Sequence, residues 1–541
     1  MELRAEQFMQ IFLTSNRLVA SGKGIAGELL PKSYFTVCLA PRMDTDTLMA
    51  SFLRRGVLWP TAEIYGGLQG FYDYGDAGSS VKRNLETAWE RWFVGLSPGY
   101  YRIDPALVLP ESVLRASGHL DNFSDPLVAC DVCGERFRAD SLLEEWGIKD
   151  VEGLKVEEIQ AQFSQSERKC PKCGKGRLTP PKAFNLMFGL DIGPEGRERG
   201  YLRPETAQSS YLAFSRLWNV MRKKLPLGVA VVGRVYRNEI APRQVLFRLR
   251  EFTQAELQIF FDPEAPSPSW QVPPDARVPA LTARNRAQGA NRAEPVALRQ
   301  LVESGEMPGF YAYHLFMAYR FYRDVLGYPE GQIRLFEKND RERAFYNRIQ
   351  YDIELNLESL GGFKEMGAVH YRGDYDLSRH SEDSKSDLGV TLDGGKHLIP
   401  HVLELTFGVD RNVWGLGDVH LHNEKDRIVW SLPPYLAPAV AGVLPLIPKE
   451  HGPMATMLYH TLRTEGFRVT MDESGSIGRR YARLDEIGVP FAITVDRESL
   501  SAQTYTIRNR DGKDQVRGSI SDILSILRKA VVSPLSIGNP L

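Results

Sequence analysis

The sequence is poor in three features: long apolar runs, an excess of charge of one sign, and cysteine. No stretch of about 18 uncharged apolar residues occurs, and a membrane-spanning helix needs a run of roughly that length. The formal net charge is −1, so any contact with a nucleic acid must come from local basic patches. The 541 residues include five cysteines, too few for a disulfide scaffold, which favours a reducing compartment. We therefore expect a cytoplasmic protein with no membrane partner.

Residues 1–42 lack the features of a secretory signal. They contain basic residues, but Glu2, Glu6 and Glu28 lie among them, and no apolar core is followed by a small-residue cleavage site. We predict that this segment is an N-terminal extension that activity does not need. An organelle-targeting segment stays open as the alternative.

The most informative stretch is residues 229–261, which reads as two β-strands joined by a basic loop. In the second strand, from Glu251 to Phe261, residues alternate between two faces. Arg237 in the first strand and Arg248 in the loop suit a polyphosphate, because a guanidinium matches paired phosphate oxygens. Glutamates beside them suit a ligand that also carries a cation, such as an amine or Mg²⁺. A surface hairpin with salt bridges is the alternative.

Four of the cysteines form two Cys-x-x-Cys pairs, and a glycine follows each pair. This arrangement supplies four thiolates tetrahedrally to zinc and leaves no open coordination position for chemistry. We predict a structural zinc site in an insertion over residues 130–176, part of which reads as helix. Reduced free thiols or a redox pair are the alternatives. The predicted ligands are Cys130, Cys133, Cys170 and Cys173.

Three further segments indicate the domain organisation. Apolar residues at helical spacing in residues 79–94 predict an amphipathic helix. Residues 262–300 are rich in Pro, Ala and Arg, which predicts an exposed, flexible insertion with little packing. Strand and helix patterns alternate from about Ser431 onward, which predicts a small α/β domain with a mixed sheet over residues 431–541.

Several segments resemble one known family. RNEIAPRQVLFRLREFTQAE (237–256) resembles motif 2 of the class II aminoacyl-tRNA synthetases, in the form found in the homodimeric glycyl-tRNA synthetases. LRPETAQSSYL (202–212) resembles the same family, and IPHVLELTFGVDRNVW (399–414) resembles its motif 3. The resemblance implies an α+β fold. A class II antiparallel-sheet catalytic domain would span residues 43–430 and carry the zinc-ribbon-like insertion, and an α/β anticodon-binding domain would follow it.

The resemblance also implies a reaction and its partners. Glycine and ATP would form glycyl-adenylate and pyrophosphate, and the glycyl group would pass to the 3′ end of tRNA(Gly). Residues 79–94 are similar to motif 1, which implies a homodimer. ATP, Mg²⁺ and zinc are the implied cofactors. A non-catalytic relative that binds nucleic acid is the alternative, but it would be expected to lose the phosphate-binding arginines, which are present.

The same resemblance assigns the site residues. Arg237, Glu239 and Arg411 would be catalytic, and Glu365 and Glu404 would hold Mg²⁺. The residues implied to contact tRNA are Arg479, Arg480 and Arg483. The residues implied to bind ATP are Arg237, Asn238, Glu239, Phe247, Arg248, Leu249, Arg250, Glu251, Phe252, Glu365, Met366, Gly408, Val409, Asp410 and Arg411. The residues implied to bind glycine are Arg138, Glu205, Phe252, Thr253, Gln254, Ala255, Glu256, Glu404, Leu405, Thr406, Phe407 and Gly408.

Three positions depart from the family pattern. Leu405 and Thr406 stand where the family usually has Pro and Ser, and Met366 stands where it usually has Leu or Ile. Thr406 keeps a hydroxyl group but adds a methyl group beside the smallest amino-acid pocket of the class. The fine geometry of the pocket is therefore expected to differ.

Overall fold

The structure is a computed structural model that describes residues 43–148, 151, 154, 156–164, 169–242, 244–344, 346–425 and 427–532. The predicted extension over residues 1–42 lies outside the described residues. The chain forms two compact units. The larger unit comprises residues 59–73 and 85–415, and the smaller comprises the described residues up to 58, residues 74–84 and those from 416 onward. The smaller unit thus starts before residue 431 and includes two N-terminal segments as well.

The β-strands are mostly short, and the longest lie in one sheet of the larger unit. In chain order the strands are β1 (Leu58–Pro60), β2 (Tyr72–Tyr74), β3 (Tyr100–Arg102), β4 (Val108–Pro110), β5 (Ser124–Ala129), β6 (Arg136–Arg138), β7 (Lys182–Asn185), β8 (Phe188–Ile192), β9 (Glu198–Leu202), β10 (Leu227–Tyr236), β11 (Glu251–Phe261), β12 (Arg277–Leu281), β13 (Glu294–Ala297), β14 (Ile333–Glu337), β15 (Ile349–Leu357), β16 (Gly362–Gly373), β17 (Val390–Thr391), β18 (His397–Leu398), β19 (His401–Gly408), β20 (Leu421–Glu424), β21 (Arg427–Trp430), β22 (Ala441–Pro445), β23 (Val469–Met471), β24 (Phe491–Val495), β25 (Tyr505–Asn509) and β26 (Gln515–Gly518).

The α-helices surround these sheets. In chain order they are α1 (Thr45–Arg54), α2 (Asp76–Phe93), α3 (Glu111–Ala116), α4 (His119–Asn122), α5 (Ala139–Glu145), α6 (Val156–Ser164), α7 (Ala207–Val220), α8 (Ala283–Ala287), α9 (Leu298–Glu303), α10 (Gly309–Arg320), α11 (Tyr375–Ser384), α12 (Val409–His420), α13 (Pro448–Thr464), α14 (Ile477–Glu486), α15 (Arg497–Ala502) and α16 (Ile520–Ala530). Among the described residues, none of them combines the length and the apolar character that crossing a bilayer requires.

A nine-stranded sheet forms the centre of the larger unit. Its strand order is β13-β12-β14-β15-β16-β19-β11-β10-β3. From β14 to β10 every neighbouring pair is antiparallel. The pairs β12–β14 and β10–β3 are parallel. The antiparallel sheet expected from the sequence is confirmed.

The two strands predicted over residues 229–261 are β10 and β11. The second strand has the predicted bounds, whereas β10 ends at Tyr236, short of the predicted end at residue 240. Beyond it the backbone N–H of Glu239 donates to the carbonyl of Arg237 at 2.7 Å, which closes a tight turn. Arg237 and Glu239 therefore project from a loop and not from a strand.

Aromatic side chains pack one face of the central sheet. The helix predicted over residues 79–94 is α2, and its residues Trp89 and Phe93 are buried. The ring of Phe93 lies 4.8 Å from that of Phe407 on β19. Phe321, just after α10, lies 5.2 Å from the ring of Phe93. Because this face is filled by the core, a ligand site on the sheet must lie on the other face.

The prediction of a flexible insertion at residues 262–300 is wrong. The segment contributes β12 and β13 to the edge of the central sheet. Val278, Ala280 and Leu281 are buried, and Trp270 packs edge-on against His314 with ring centroids 4.8 Å apart. Composition suggested a polar loop, but burial of these side chains against β14 and α10 orders the segment.

The smaller unit contains the α/β domain that the sequence predicted. Its five-stranded sheet has the order β23-β22-β24-β25-β26. The first three strands pair in parallel and the last three pair antiparallel, which confirms a mixed sheet. The core between this sheet and the helices α13 and α16 is apolar, with Leu458, Ile493 and Ile526 fully or almost fully buried.

Candidate active site

Two rows of side chains cross the central strands on the face opposite the aromatic core. Directly paired residues project to the same side of a sheet, and alternate residues along a strand share a face. The first row runs from Glu256 on β11 through Thr406 on β19 to Ala368 on β16. The second row, two residues along each strand, consists of Gln258, Glu404 and His370. The strand pairing therefore brings polar groups from three strands together.

Gly367 allows β16 and β19 to approach closely beside the first row. A Cβ atom built at this position would lie 2.7 Å from the carbonyl oxygen of Thr406 and 2.8 Å from the ring of Phe407. Such distances are shorter than van der Waals contact, so a larger residue would push the two strands apart. The glycine thus fixes the separation of Ala368 and Thr406.

Glu256 is deeply buried, with 3% of its surface exposed. Its two carboxylate oxygens accept hydrogen bonds from Thr206 Oγ1 at 2.7 Å and Thr406 Oγ1 at 2.9 Å. Burial and the nearby charges of Glu404 and Glu205 raise the pKa of Glu256 to about 8. At neutral pH the carboxyl group therefore holds a proton, and a cation placed against it would drive that proton off.

Glu404 and Glu205 complete an acidic cluster with Glu256. Glu404 Oε2 accepts from Gln258 Nε2 and from Arg372 Nη1, both at 3.0 Å. Glu205 Oε1 accepts from Gln208 Nε2 at 2.9 Å and lies 3.4 Å from His119 Nε2. Burial opposes ionisation of Glu205, but the charges of His119 and Arg372 hold its pKa well below the usual value.

The charge balance of this cluster favours a cationic ligand. The guanidinium of Arg372 also binds both oxygens of Asp376 at 2.7 and 2.8 Å, and the charge of the buried Arg203 acts on Glu256. Three carboxyl groups and Asp376 therefore outnumber the two arginines in this buried environment. An ammonium group entering this pocket would find carboxylate partners that compensate its desolvation.

A cleft lined by arginine and phenylalanine residues lies at the ends of β11 and β19. It encloses about 320 Å³ of space that opens to solvent. The Arg237 guanidinium lies between two aromatic rings, 5.2 Å from that of Phe123 and 5.3 Å from that of Phe252. The cleft is lined by Arg237, Glu239, Leu246, Phe247, Arg248, Leu249, Phe252, Gly408, Asp410 and Arg411. Three guanidinium groups in one cleft suit a ligand with several phosphates.

Arg411 is held at the edge of this cleft by the β16 strand. Its Nη1 atom lies 3.2 Å from Glu365 Oε1 and donates to the Glu365 carbonyl at 3.1 Å. The guanidinium lies 5.8 Å from the ring of Phe247. Desolvation acts against ionisation of Glu365, but the charges of Arg411 and Lys338 keep its pKa below the usual value. Glu365 is therefore a carboxylate paired with Arg411 beside the cleft.

His370 connects the acidic cluster to the cleft. Its imidazole lies 3.6 Å from Glu404, and its pKa responds to the charges of Glu404, Arg372 and Glu365. Burial is the largest of these influences and lowers the pKa of His370 below the usual value. Gly408, which lines the arginine-lined cleft, follows Thr406 of the first row by two residues on β19, so the acidic cluster and the cleft are neighbouring parts of one site.

Three residues assigned to the site from the resemblance have other partners. Arg138 pairs with Asp125 at 2.5 Å and donates from Nε to Asp140 at 3.1 Å. Arg250 donates to two backbone carbonyls, that of Glu239 at 2.9 Å and that of Gln69 at 3.1 Å. Glu251 pairs with Arg234 at 3.3 Å. Arg250 therefore braces the loop that carries Glu239, and Arg138 lies beside the cleft without lining it.

Other assigned residues contribute backbone but not side chains. Leu405, Phe407, Ala255 and Met366 are buried. The side chains of Ala255, Leu405 and Phe407 alternate with the residues of the two polar rows along β11 and β19 and therefore point to the other face. Met366 lies on β16 beside an irregularity in its pairing with β15, and its side chain approaches Gly415. Three further assigned residues have core or backbone roles. The backbone N–H of Asn238 donates to the Leu186 carbonyl, and that of Thr253 donates to Asp410. Val409 is buried.

Four residues of the pocket were missed from the sequence. Arg372 lies in a segment that resembles the family, and its pairing with Asp376 four residues later was a signal that could have identified it. Gln258 continues the alternation of β11 two residues after Glu256 and was equally accessible. Thr206 and His370 carry no local signal, because their partners Glu256 and Glu404 lie far away in the sequence.

The four cysteines predicted to bind zinc are brought together. Cys130 Sγ lies 3.7 Å from Cys173 Sγ, and Cys133 Sγ lies 3.8 Å from Cys170 Sγ. All four sulfur atoms lie within 4.8 Å of one another. Zinc–sulfur bonds of about 2.3 Å in a tetrahedron place sulfurs about 3.8 Å apart, so the donor set fits zinc. A Cβ atom at Gly176 would lie 2.2 Å from Cys130 Sγ, which explains the glycine there.

Replacing Cys130 with Ser is expected to reduce bound zinc from about one ion per chain to nearly none, because the metal loses a thiolate ligand. The small core of the insertion, built on residues such as Leu142 and Phe163, should then open to proteases. Metal content measured by mass spectrometry and limited proteolysis test this. Cys38→Ser is the matched control, and equal zinc in both variants would contradict the assignment.

The three arginines assigned to tRNA contact lie on or near α14 and differ in exposure. Arg479 is exposed. Arg480 is 2% exposed and donates to the carbonyl of Gly475 at 2.9 Å and to that of Pro445. Arg483 pairs with Asp472 at 2.7 Å. Arg480 therefore supports the loop before α14 from within, and the expectation that it faces RNA is wrong.

Comparisons with known proteins agree with this architecture. Residues 191–271 match the family model described as tRNA synthetase class II core domain (G, H, P, S and T), and residues 441–530 match that of the anticodon binding domain. The solved structure of prolyl-tRNA synthetase from Cryptosporidium parvum, complexed with L-proline and AMP, superposes with a TM-score of 0.52 over 93% of this chain and 80% of that chain. It is 13% identical in sequence, so this likeness concerns the fold.

Curated relatives match over nearly their whole length. The glycine–tRNA ligase of Thermococcus gammatolerans is 37% identical over 88% of this chain and 97% of its own. That of Aeropyrum pernix is 37% identical over 88% of this chain and 95% of its own. That of Methanothermobacter thermautotrophicus is 36% identical over 90% of this chain and 99% of its own. Identity of this extent, over the sheet that carries both halves of the site, shows that the chain belongs to the glycine–tRNA ligase family.

Proposed function

We propose that this protein activates glycine with ATP and transfers the glycyl group to tRNA(Gly). The observation that supports this most directly is the position of the acidic cluster beside the arginine-lined cleft on one face of one sheet. An amine and a polyphosphate must lie side by side when an amino acid reacts with ATP. Membership of the glycine–tRNA ligase family points to the same reaction.

The first step is an attack by the glycine carboxylate on the α-phosphate of ATP. An oxygen–phosphorus bond forms, pyrophosphate leaves, and no nucleophile of the enzyme is required. Positioning and neutralisation of phosphate charge therefore provide the catalysis. Arg237 would hold the α-phosphate, Arg248 the outer phosphates, and Arg411 would contact the nucleotide through its planar guanidinium.

The ammonium group of glycine would bind in the acidic cluster. Glu256, Glu205 and Glu404 would surround it, and the Thr406 hydroxyl would keep Glu256 in place. One additional methylene group changes binding by only about 1–3 kcal/mol, so alanine must be excluded sterically. The side chains of Thr406 and Ala368, which lie beside Glu256 in one row, would provide that barrier.

Mg²⁺ would enter with ATP and neutralise phosphate charge. Magnesium prefers carboxylate oxygens and water as ligands. Glu365, which is about half exposed at the mouth of the cleft, fits this role. Glu404, assigned the same role from the resemblance, fits it poorly because its Oε2 atom already accepts from Gln258 and Arg372.

The remaining partners follow from the family and from the smaller unit. The match to an anticodon binding domain over residues 441–530 supports tRNA as the nucleic-acid partner. The similarity of α2 to motif 1 supports a homodimer. The four closely spaced cysteines suit a metal in a reducing compartment, which supports the cytoplasm.

ATP–pyrophosphate exchange with each of the twenty amino acids tests the activity. We expect exchange with glycine alone, because the acidic cluster holds the ammonium and the first row leaves no space for a side chain. Transfer to tRNA(Gly) transcripts should follow. Exchange driven by another amino acid would contradict the specificity, and no exchange at all would favour a non-catalytic nucleic-acid-binding protein.

A further inference from the structure

A chain of hydrogen bonds links Asp352, which lines neither part of the site, to His370, and the His370 imidazole faces Glu404. Gln350 Nε2 donates to Asp352 Oδ1 at 2.9 Å. Asn347 Nδ2 donates to Gln350 Oε1 at 3.1 Å and lies 2.9 Å from His370 Nδ1. His370 Nε2 in turn faces Glu404 Oε1 at 3.6 Å. The chain thus runs across β15, β16 and β19 through buried polar groups.

The donor and acceptor groups of these side chains determine which residue donates at each hydrogen bond. An ionised carboxylate can only accept, so Asp352 turns the N–H of Gln350 toward itself. The carbonyl of Gln350 then faces Asn347, whose two amide N–H groups donate to Gln350 and to His370 Nδ1. Because Nδ1 accepts, a neutral His370 carries its proton on Nε2. The tautomer of His370 is therefore set by a carboxylate two side chains away.

Asp352 is a buried carboxyl group that is ionised above its raised pKa. It is 2% exposed, and its Oδ2 atom lies 3.4 Å from Lys338 Nζ. Burial and the charge of Glu365 raise the pKa of Asp352 to about 7, against the opposing effect of Lys338. At pH 8 the ionised form of Asp352 prevails, and this form can only accept hydrogen bonds. Assays at that pH therefore test the enzyme with each hydrogen bond of the chain in the direction described.

The proton on His370 Nε2 stabilises the negative charge of the Glu404 carboxylate. Gln258 and Arg372 occupy Oε2, which leaves Oε1 as the oxygen that faces His370. An N–H dipole directed at Oε1 stabilises the negative charge on that atom. The other tautomer would place a lone pair against the carboxylate and an N–H against the amide of Asn347, so both contacts would become repulsive.

We propose that His370 is a positioning residue for the substrate amine, acting through Glu404, and that Asp352, Gln350 and Asn347 select the tautomer it needs. The inference rests on the proposed function, in which the Glu404 carboxylate binds the glycine ammonium. His370 fixes the oxygen that meets the ammonium, and the three residues behind it keep the Nε2–H directed at that oxygen.

Steady-state ATP–pyrophosphate exchange at pH 8 tests the inference. Removing the N–H in His370→Phe should raise the KM for glycine about tenfold, whereas His370→Gln, which keeps an N–H donor, should restore most of the affinity. Asp352→Asn, remote from the substrate, should raise the same KM roughly threefold. The KM for ATP should stay unchanged in all three. Asp374→Asn, an equal change at a partly exposed residue, is the control.

Nitrogen NMR of histidine-labelled wild-type enzyme gives a readout that needs no destabilised variant. The His370 signals, identified by their absence from His370→Gln, should show a proton on Nε2 and a bare Nδ1. The opposite tautomer, or equal rises in the KM for glycine and for ATP in the variants, would overturn the inference. Absence of glycine-dependent exchange in the wild type would instead refute the proposed function.

Discussion

Glu256→Gln is expected to raise the KM for glycine about 10²–10³-fold in ATP–pyrophosphate exchange. Removing one partner of a buried charge pair costs about 3–5 kcal/mol, and each 1.4 kcal/mol corresponds to about a factor of ten. The fold should survive, because the amide can keep hydrogen bonds to Thr206 and Thr406 by rotating their hydroxyl groups. The KM for ATP should change little, since Glu256 does not line the arginine-lined cleft.

The pH dependence gives a second readout for the same residue. The pKa of Glu256 is raised to about 8, so below that pH the empty pocket must release a proton when the ammonium binds. The KM for glycine should therefore fall as pH rises from 6 to 8, by up to about tenfold per unit for one proton, and then level off. Glu256→Gln should lose most of this slope and keep only the change of about threefold that ionisation of Asp352 contributes. Glu303→Gln, at an exposed position on α9, is the control; the full wild-type slope retained in Glu256→Gln would contradict the assignment.

Arg411→Ala is expected to lower kcat/KM for ATP in the exchange reaction about 10³-fold. Groups that stabilise charge developing on a transferred phosphate typically contribute factors of about 10³–10⁵. The substitution also removes the ion pair that keeps Glu365 ionised at the mouth of the cleft. Exchange kinetics with ATP varied at saturating glycine measure the effect.

The variant Arg411→Lys distinguishes the effect of the positive charge from that of the planar guanidinium group. Arg411→Lys keeps the positive charge but loses the planar fork, and it should recover only a minor part of the activity. Arg299→Ala, which removes an exposed arginine paired with Glu303 on the same helix, is the matched control. Full activity in Arg411→Ala would exclude Arg411 from the nucleotide site.

Local patterns in the sequence predicted some elements accurately. The alternation of β11 predicted both its bounds and the face that carries Glu256, because apolar side chains occupy one face and polar side chains the other, although both faces are buried. The two cysteine pairs predicted the metal site from local sequence as well. Four thiolates fill the tetrahedral coordination of zinc, and a small glycine follows each pair. In the first case the signal lies in one strand, and in the second it lies in two short cysteine pairs.

Predictions failed where the outcome depends on a distant partner. Residues 262–300 look like a polar loop until β12 is paired with β14, which lies more than 50 residues later in the chain. Arg480 shares a basic segment with Arg479, but the carbonyls of Gly475 and Pro445 draw its side chain inward. His370 has no recognisable motif, because its role depends on Asn347 and Glu404 across two strand pairings.

The pairing of β12 with β14 also bears on how this chain could be shortened. Removing residues 262–300 would leave the edge of β14 with unpaired backbone N–H and C=O groups beside apolar side chains. Exposed strand edges of this kind act as templates for another chain. A trimmed enzyme would therefore tend to aggregate edge to edge, even though every residue that faces ATP and glycine had been kept.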